Sequence, residues 1–553
     1  MILKRTILLI ILISSLTSLA VFIAPRLQEQ ANITPPQTVY ADSKDNNSIV
    51  IPCPNEHPEW RVAQVIDSVT IEAAPACEPD NPYDIATSVK GTNNVSMATL
   101  MQTNLAQDAL TMTDDLDHDG DPDVIHIKLE VIELNGGTPD GDFLINTFDI
   151  APGIQPGLWV YAPKSRGMAL KNFNSVVANP MLRAPSPVIR VEQGDKVYIT
   201  LENTHYLPHT IHLHGVDHPW LTSKGEDNDG MEEHAVFPGK SHTYEIKPRH
   251  AGTMLYHCHV QTAQHFMMGL AGMFIVEENQ PNNWLQTFNI GAGQVRHPSS
   301  TVKKSYSQEY DLHYQSVDKK LAKIIQDAND PRLVAEHMSR DYNMTESFEN
   351  YFLLNGHSFP YTLRDAMIIA SDNEDIKLHV ANLQRSAVAI HIHGHKATIT
   401  ASDGVDQPTA IQITRDVFDI APAQRTDLHL LTKNDGLHSY GPGLWMFHDH
   451  TATGTTTDGL EPGGNMAILA YKQLLDEQGM PKMHDELFDQ IFNKNYYAKK
   501  MAIWGEGTFA PLLGDAGLLT PNYSRVILFG LTIGLIIGLL LLVVLAYKRK
   551  QKQ

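Results

Sequence analysis

Cysteine is nearly absent: three residues in 553. At most one disulfide can form within the chain, and one thiol is then left over. Cys53 and Cys77 flank a short proline-bearing segment and are expected to pair in an oxidising compartment. Cys258 is the remainder, and an odd thiol in an exported chain calls for a reason. Basic residues are also scarce, 42 Lys and Arg against 63 Asp and Glu, for a net charge of −21. That balance argues against a nucleic-acid partner and leaves cationic or neutral ones. Charged residues make up 19% beside 42% hydrophobic, so disorder is not the expectation, and the length suits about two to four domains.

Long hydrophobic runs occur at both ends. Thr6–Pro25 follows Lys4 and Arg5 and reads as a secretory signal or an N-terminal anchor. Val526–Tyr547 carries no charge and is followed by KRKQKQ. This predicts a transmembrane helix over 525–547 with a basic cytoplasmic tail, 548–553, and an extracytoplasmic body at the cell membrane.

Between these runs the texture changes several times. Residues 26–123 read as an N-terminal extension, with helix-like apolar spacing over 96–112. It ends in DLDHDGDPD, where Asp115, Asp117, Asp119 and Asp123 alternate around Gly120. Oxygen ligands at alternate positions with a glycine at the bend suit calcium, but His126 stands where the loop's bidentate glutamate belongs. The segment reads either as a calcium site or as an acidic, solvated turn. Short alternating strands follow over 124–280, predicting an antiparallel sandwich. A polar, helix-bearing linker is expected over 281–345 and a second sandwich over 346–475. A juxtamembrane segment, 476–524, leads to the membrane run.

Histidine is abundant, 27 residues, and it is patterned. PHTIHLHG (208–215) aligns with AVAIHIHG (387–394), and GTMLYHCHV (252–260) with GLWMFHDHT (443–451). Each half therefore carries two His-x-His pairs: His212 with His214 and His257 with His259, then His391 with His393 and His448 with His450. In a strand, residues i and i+2 face the same side, so each pair aims two imidazoles at one place. Eight rings in four matched pairs point to metal, although imidazole alone suits copper, zinc, iron or nickel.

The differences between the halves are more specific. His209 and Cys258 of the first half correspond to Val388 and Asp449 of the second. An extra site made of His209, Cys258 and His265 therefore belongs to one half only. Two imidazoles and a thiolate are the ligand set of a blue-copper centre, and Cys258 could bind that copper while His257 and His259 bind others. For the axial position, HFMMGLAGM offers Met267, Met268, Leu270 and Met273; the usual step of five from the histidine lands on Leu270, a residue that cannot ligate.

These motifs resemble those of multicopper oxidases, in particular the two-domain, laccase-like kind. HTIHLHG, HCHVQTAQH, HIHG and HDH are similar to that family's four copper-binding elements, and FLLNGHSFP and RDVFDIAPAQRTDL to its framework. The resemblance covers about residues 124–475. It implies an all-β fold of two cupredoxin-like Greek-key sandwiches, with about four coppers per chain. By position, type 1 copper would be held by His209, Cys258 and His265 with Leu270 axial, and type 2 by His212 and His391. The type 3 pair would be held by His214, His257, His259, His393, His448 and His450. A homotrimer is implied, with each trinuclear cluster between neighbouring chains. The implied activity is one-electron oxidation of a donor (a small molecule, a metal ion or a redox protein) coupled to reduction of dioxygen to water. Cys258, His257 and His259 would carry the electrons, and Asp217, Asp227 or Asp229 are candidate acids. His205, His218, His234, His250 and His395 read individually as structural. The rivals are a copper nitrite reductase and a copper-binding electron carrier without turnover. No long methionine-rich insert points to cuprous ion as donor.

Overall fold

The computed structural model describes residues 64–66 and 69–71, most of 106–499 with 166–182 as the longest gap, and parts of 535–549. The N-terminal apolar run, Cys53, Cys77 and Asp217 lie outside the described residues.

The first sandwich is built from two sheets. One orders His212–His214, Gly252–His257, Ala271–Glu277, Val188–Glu192 and Phe288–Asn289 side by side. The other orders Ser241–Ile246, Lys196–Glu202, Val124–Leu134 and Leu110–Thr113, with Leu158–Pro163 paired to the long strand. Alternation places Ile125, Ile127, Leu129, Val197, Ile199 and Leu201 of one sheet in a common core with Leu213, Met254, Tyr256 and Phe274 of the other. Cys258 and Leu270 lie in that same core. The second sandwich repeats the plan. Gln308–Val317, Asp375–Leu383, Arg425–Leu431 and Ala397–Ser402 form the larger sheet, and Ile368–Ala370, Ala467–Tyr471, Leu444–Asp449, Val388–Ile392 and Val417–Ile420 the other.

Three expectations are corrected. The sheets are mixed, not purely antiparallel. Val124–Leu134 runs parallel to Lys196–Glu202, and Ala271–Glu277 to Val188–Glu192. The second half has the matching parallel pairs, Gln308–Val317 with Asp375–Leu383 and Ile368–Ala370 with Ala467–Tyr471. Such pairs come from strands that return after a long connection, which alternation within a strand cannot reveal. Secondly, the end of the helix-like stretch is a strand, Leu110–Thr113, paired with Val124–Leu134. Thirdly, the linker is not wholly a connector. The single helix expected over 317–338 is two short ones, Lys319–Asp327 and Pro331–Glu336, broken where Ala328 and Asp330 are extended. Gln308–Val317, however, is a central strand of the second sandwich and is buried almost throughout.

That strand looks polar because its polar residues are buried against the first sandwich. Arg190 forms ion pairs with Glu277 at 2.8 Å and Asp311 at 2.5 Å. His313 Nε2 lies 3.2 Å from the carbonyl oxygen of Ala271. Glu309 meets His379 at 3.0 Å, and Thr253 bridges His379 and Asp427. Beside this layer Leu255, Ala271, Met273 and Ile275 pack with Ala381 and Leu383.

Among the described residues no helix is long and apolar enough to cross a membrane. The expected span is described only in pieces; these are helical, and Leu535, Leu540, Leu542 and Leu545 on them are exposed.

Candidate metal centre

The seven-residue step from Cys258 to His265 is a turn and a short helix. Gln261 adopts φ 41°, and Thr262–Met267 then folds back with His265 N–H donating to the Gln261 carbonyl at 3.2 Å. His209 is fixed by a two-way backbone pairing with Val236. As a result His265 Nδ1 lies 3.3 Å and His209 Nδ1 3.7 Å from Cys258 Sγ. All three side chains are buried, and their ligand atoms converge within 4.8 Å.

Burial keeps the imidazoles neutral. It lowers His265 to about 3, helped by His205, and holds His209 well below the ordinary imidazole value, with His205 and His265 adding to it. The same burial pushes the Cys258 thiol up. Two free lone pairs and a sulfur that needs a cation to ionise form a soft, nitrogen–sulfur site that fits copper.

The axial candidates separate. Met273 belongs to the core between the sandwiches, away from Cys258. Met267 Sδ accepts from Ser347 Oγ at 3.4 Å. Leu270 shares the Cys258 core and accepts the Cys258 N–H on its carbonyl at 3.0 Å; Met268 is the other side chain of that core left in contention.

The paired imidazoles occupy the same register in both halves. His212 stands opposite His257, and His391 opposite His448. His214 Nε2 lies 3.0 Å from His257 Nε2, and His393 Nε2 3.3 Å from His448 Nε2. His259 and His450 complete each set, their ring centroids 5.0 Å from His212 and 5.6 Å from His391. The Nδ1 atoms explain how the rings are held. Those of His212 and His391 face the carbonyls of Asp229 and Asp416 at 3.0 Å. Those of His257 and His448 face the carbonyls of Cys258 at 2.8 Å and Asp449 at 3.0 Å. A carbonyl only accepts, so each Nδ1 must carry the proton and each Nε2 offers its lone pair. Burial lowers His214 to about 4 and His257 to about 3, with neighbouring imidazoles adding to the effect.

The second half cannot repeat the thiolate site. Val388 is fully buried in His209's place, and Asp449 uses one oxygen to accept the N–H groups of Ala389 and Thr451, both at 3.0 Å. The described ring contacts join histidines of the same half only, and His450 is exposed.

Other candidates are placed as follows. The Asp229 carboxylate is engaged by His234 and by Met231 N–H, each at 3.0 Å; Asp227 faces the other nitrogen of His234 at 3.3 Å. His395 bonds Tyr471 and Ser439. Asp115, Asp117 and Asp119 bring oxygens within 4.8 Å of one another, whereas Asp123 accepts the N–H groups of Leu116 and Asp117. Three participants are not assigned a part by the sequence. The carbonyls of Asp229 and Asp416 leave no side-chain signal. His205, four residues before His209, reads as structural but bonds directly to it, its Nδ1 2.8 Å from His209 Nε2.

Two fused β-sandwiches, one with a thiolate–imidazole centre and both with strand-borne histidine pairs, define a copper-binding protein of the cupredoxin class. Residues 174–281 and 331–458 match two family models, each described as multicopper oxidase. These two regions, together less than half of the chain, are similar to multicopper oxidase domains. Ceruloplasmin of Rattus norvegicus is 23% identical over 340 residues, 58% of this chain and 27% of that protein. L-ascorbate oxidase of Nicotiana tabacum is 32% identical over 146 residues, 25% of this chain and 23% of its own length. The structure of a blue copper oxidase from Nitrosomonas europaea aligns with a TM-score of 0.46 at 24% identity, covering 68% of this chain and 94% of that one. The chain thus spans about a quarter of the length of these curated relatives.

Proposed function

We propose that the chain is a membrane-anchored, extracytoplasmic multicopper oxidase that couples one-electron oxidation of a donor to reduction of dioxygen to water. The observation that carries this reading is the matched set of imidazoles, in register in both halves, with Nε2 of His212, His257, His391 and His448 freed by backbone carbonyls on Nδ1. His209, Cys258 and His265 would hold type 1 copper, with Leu270 in the axial place. His212 and His391 would hold type 2 copper; His214, His257, His259, His393, His448 and His450 would hold the type 3 pair. Copper so bound supplies one-electron redox steps and the multi-electron reduction of dioxygen.

The chain's own residues define the route. Cys258 lies between His257 and His259, so a few covalent bonds join the sulfur to two other ligand rings. The hydrogen bond from His257 Nδ1–H to the Cys258 carbonyl adds a shortcut along that path. The partly exposed imidazoles of both halves are open to rings of another copy; the homotrimer is what the family resemblance implies. Anchoring is supported by the uncharged run 526–547, its exposed leucines and the basic tail.

Oxygen uptake by the copper-loaded full chain, measured against a panel of phenols, Fe(II), Mn(II) and Cu(I), tests the reading. Uptake with at least one donor, lost together with the blue colour in Cys258→Ser, is expected. Nitrite reduction without oxygen uptake, or no turnover in a fully metallated sample, would replace the reading with one of its rivals.

A further inference from the structure

Both imidazoles of the thiolate site are sealed from solvent: His209 is 0% exposed and His265 1%. No donor can touch either of these two rings directly, yet electrons must reach the thiolate site if the proposed function holds. The ring edge of His209 that faces away from the sulfur is Nε2, and His205 covers it with Nδ1 at 2.8 Å. If copper takes His209 Nδ1, Nε2 keeps its hydrogen and donates it to His205 Nδ1. His205 must then carry its own hydrogen on Nε2, which points toward Glu133 Oε2 at 3.8 Å.

Glu133 gathers two more groups on that same oxygen, the Trp159 indole N–H at 3.0 Å and the Tyr206 hydroxyl. Trp159 is buried edge-on against His205, His209 and His265, with centroids 5.0, 6.0 and 5.2 Å away. The Tyr206 ring lies 3.9 Å from that of His205. Gly136 is what allows the carboxylate its place, because a Cβ there would collide with it. Glu133 and Tyr206 are half-buried, so this cluster runs from the surface to the buried ligand.

We propose that electrons enter through the Glu133–Tyr206 surface and pass by way of His205 to His209, with His205 as the positioning residue of an indirect entry route. The fitting donor is uncharged or cationic and carries an O–H or N–H that the carboxylate can accept. A hydroquinone would give up one electron to the copper site and one proton to solvent, leaving as its semiquinone. The proposal rests on the oxidase reading and refines its electron-entry step.

The test uses copper-loaded full-length protein, hydroquinone as donor, and anaerobic stopped-flow bleaching of the blue band, followed by reoxidation with dioxygen. His205→Leu removes the link, whereas His205→Gln keeps an acceptor for His209. The expected result is a retained blue band in both variants, with the midpoint potential measured in each so that a change in driving force is separated from a change in route. Bleaching should slow about tenfold or more in His205→Leu and largely recover in His205→Gln, with reoxidation rates unaltered. Bleaching of His205→Leu at the parent rate overturns the route. So does loss of the blue band in both variants, which would make His205 a support for the metal site alone. Absence of a blue band in the parent would instead sink the oxidase reading itself.

Discussion

At His212, His257, His391 and His448 a backbone carbonyl decides which nitrogen is free, and the choice does not depend on any neighbouring side chain. This makes the separation of the two kinds of site testable by single substitutions. His448→Ala lies outside the thiolate site, so its blue absorption should match the parent. Oxygen uptake should fall by more than about 100-fold, beyond the cost of losing an outer-shell partner. Leu270→Met tests the axial assignment: a thioether in that place should lower the reduction potential and alter the blue band. A spectroelectrochemical titration indistinguishable from the parent would move the axial position to Met268. At this scale the sequence was highly legible, because His-x-His in a strand and Cys between two histidines are local patterns. The carbonyl partners and the cover of His205 over His209 were not, because they depend on loops distant in sequence.

The strand Gln308–Val317 shows where local patterns fail. Its Gln, Glu, Asp and His side chains suggest a solvated connector, but they form the buried layer between the sandwiches. Arg190 is held there by Glu277 and Asp311. Asp311→Ala should therefore cost about 3–5 kcal/mol in thermal or denaturant unfolding, since it strips one partner from a buried guanidinium. The same layer sets a pH window. Burial alone would raise Glu309 and Asp427, yet His379 and Lys377 hold both well below the usual carboxylate range. Burial and Lys377 oppose the charge on His379, but Asp427 and Glu309 outweigh them and raise it. The carboxylates contribute stability above their ordinary values, 3.8 and 4.5, and lose it as pH falls through their lowered ones. His379 contributes below 6.5 and loses its share as pH rises through its raised value. The melting temperature of the full chain should therefore be highest between these limits, and His379→Gln should flatten its alkaline decline. An unchanged alkaline limb in that variant would remove His379 from the account.

The whole molecule, as one chain, presents two matched sets of rings, one in each sandwich. Exposed Val405, Ile411, Ile413 and Val417 lie in the second sandwich, and Val417 stands opposite His391 in the sheet register. If neighbouring chains complete each other's clusters across this face, Ile413→Lys should yield smaller particles by light scattering. These would keep the blue band but lose oxygen reduction. Retention of oxygen uptake in a monomeric variant would contradict the shared cluster. Assembly was the least legible level: the duplicated motifs require the two kinds of half to meet, but local spacing does not say whether they meet within or between chains.

The central claim is that one thiolate centre and a cluster built from both kinds of sandwich act together. Copper quantitation by mass spectrometry of the purified, metal-loaded full chain, paired with its blue absorption, addresses this most directly. The account predicts about four coppers per chain, one of them blue. A saturated sample holding about two or fewer per chain would contradict it.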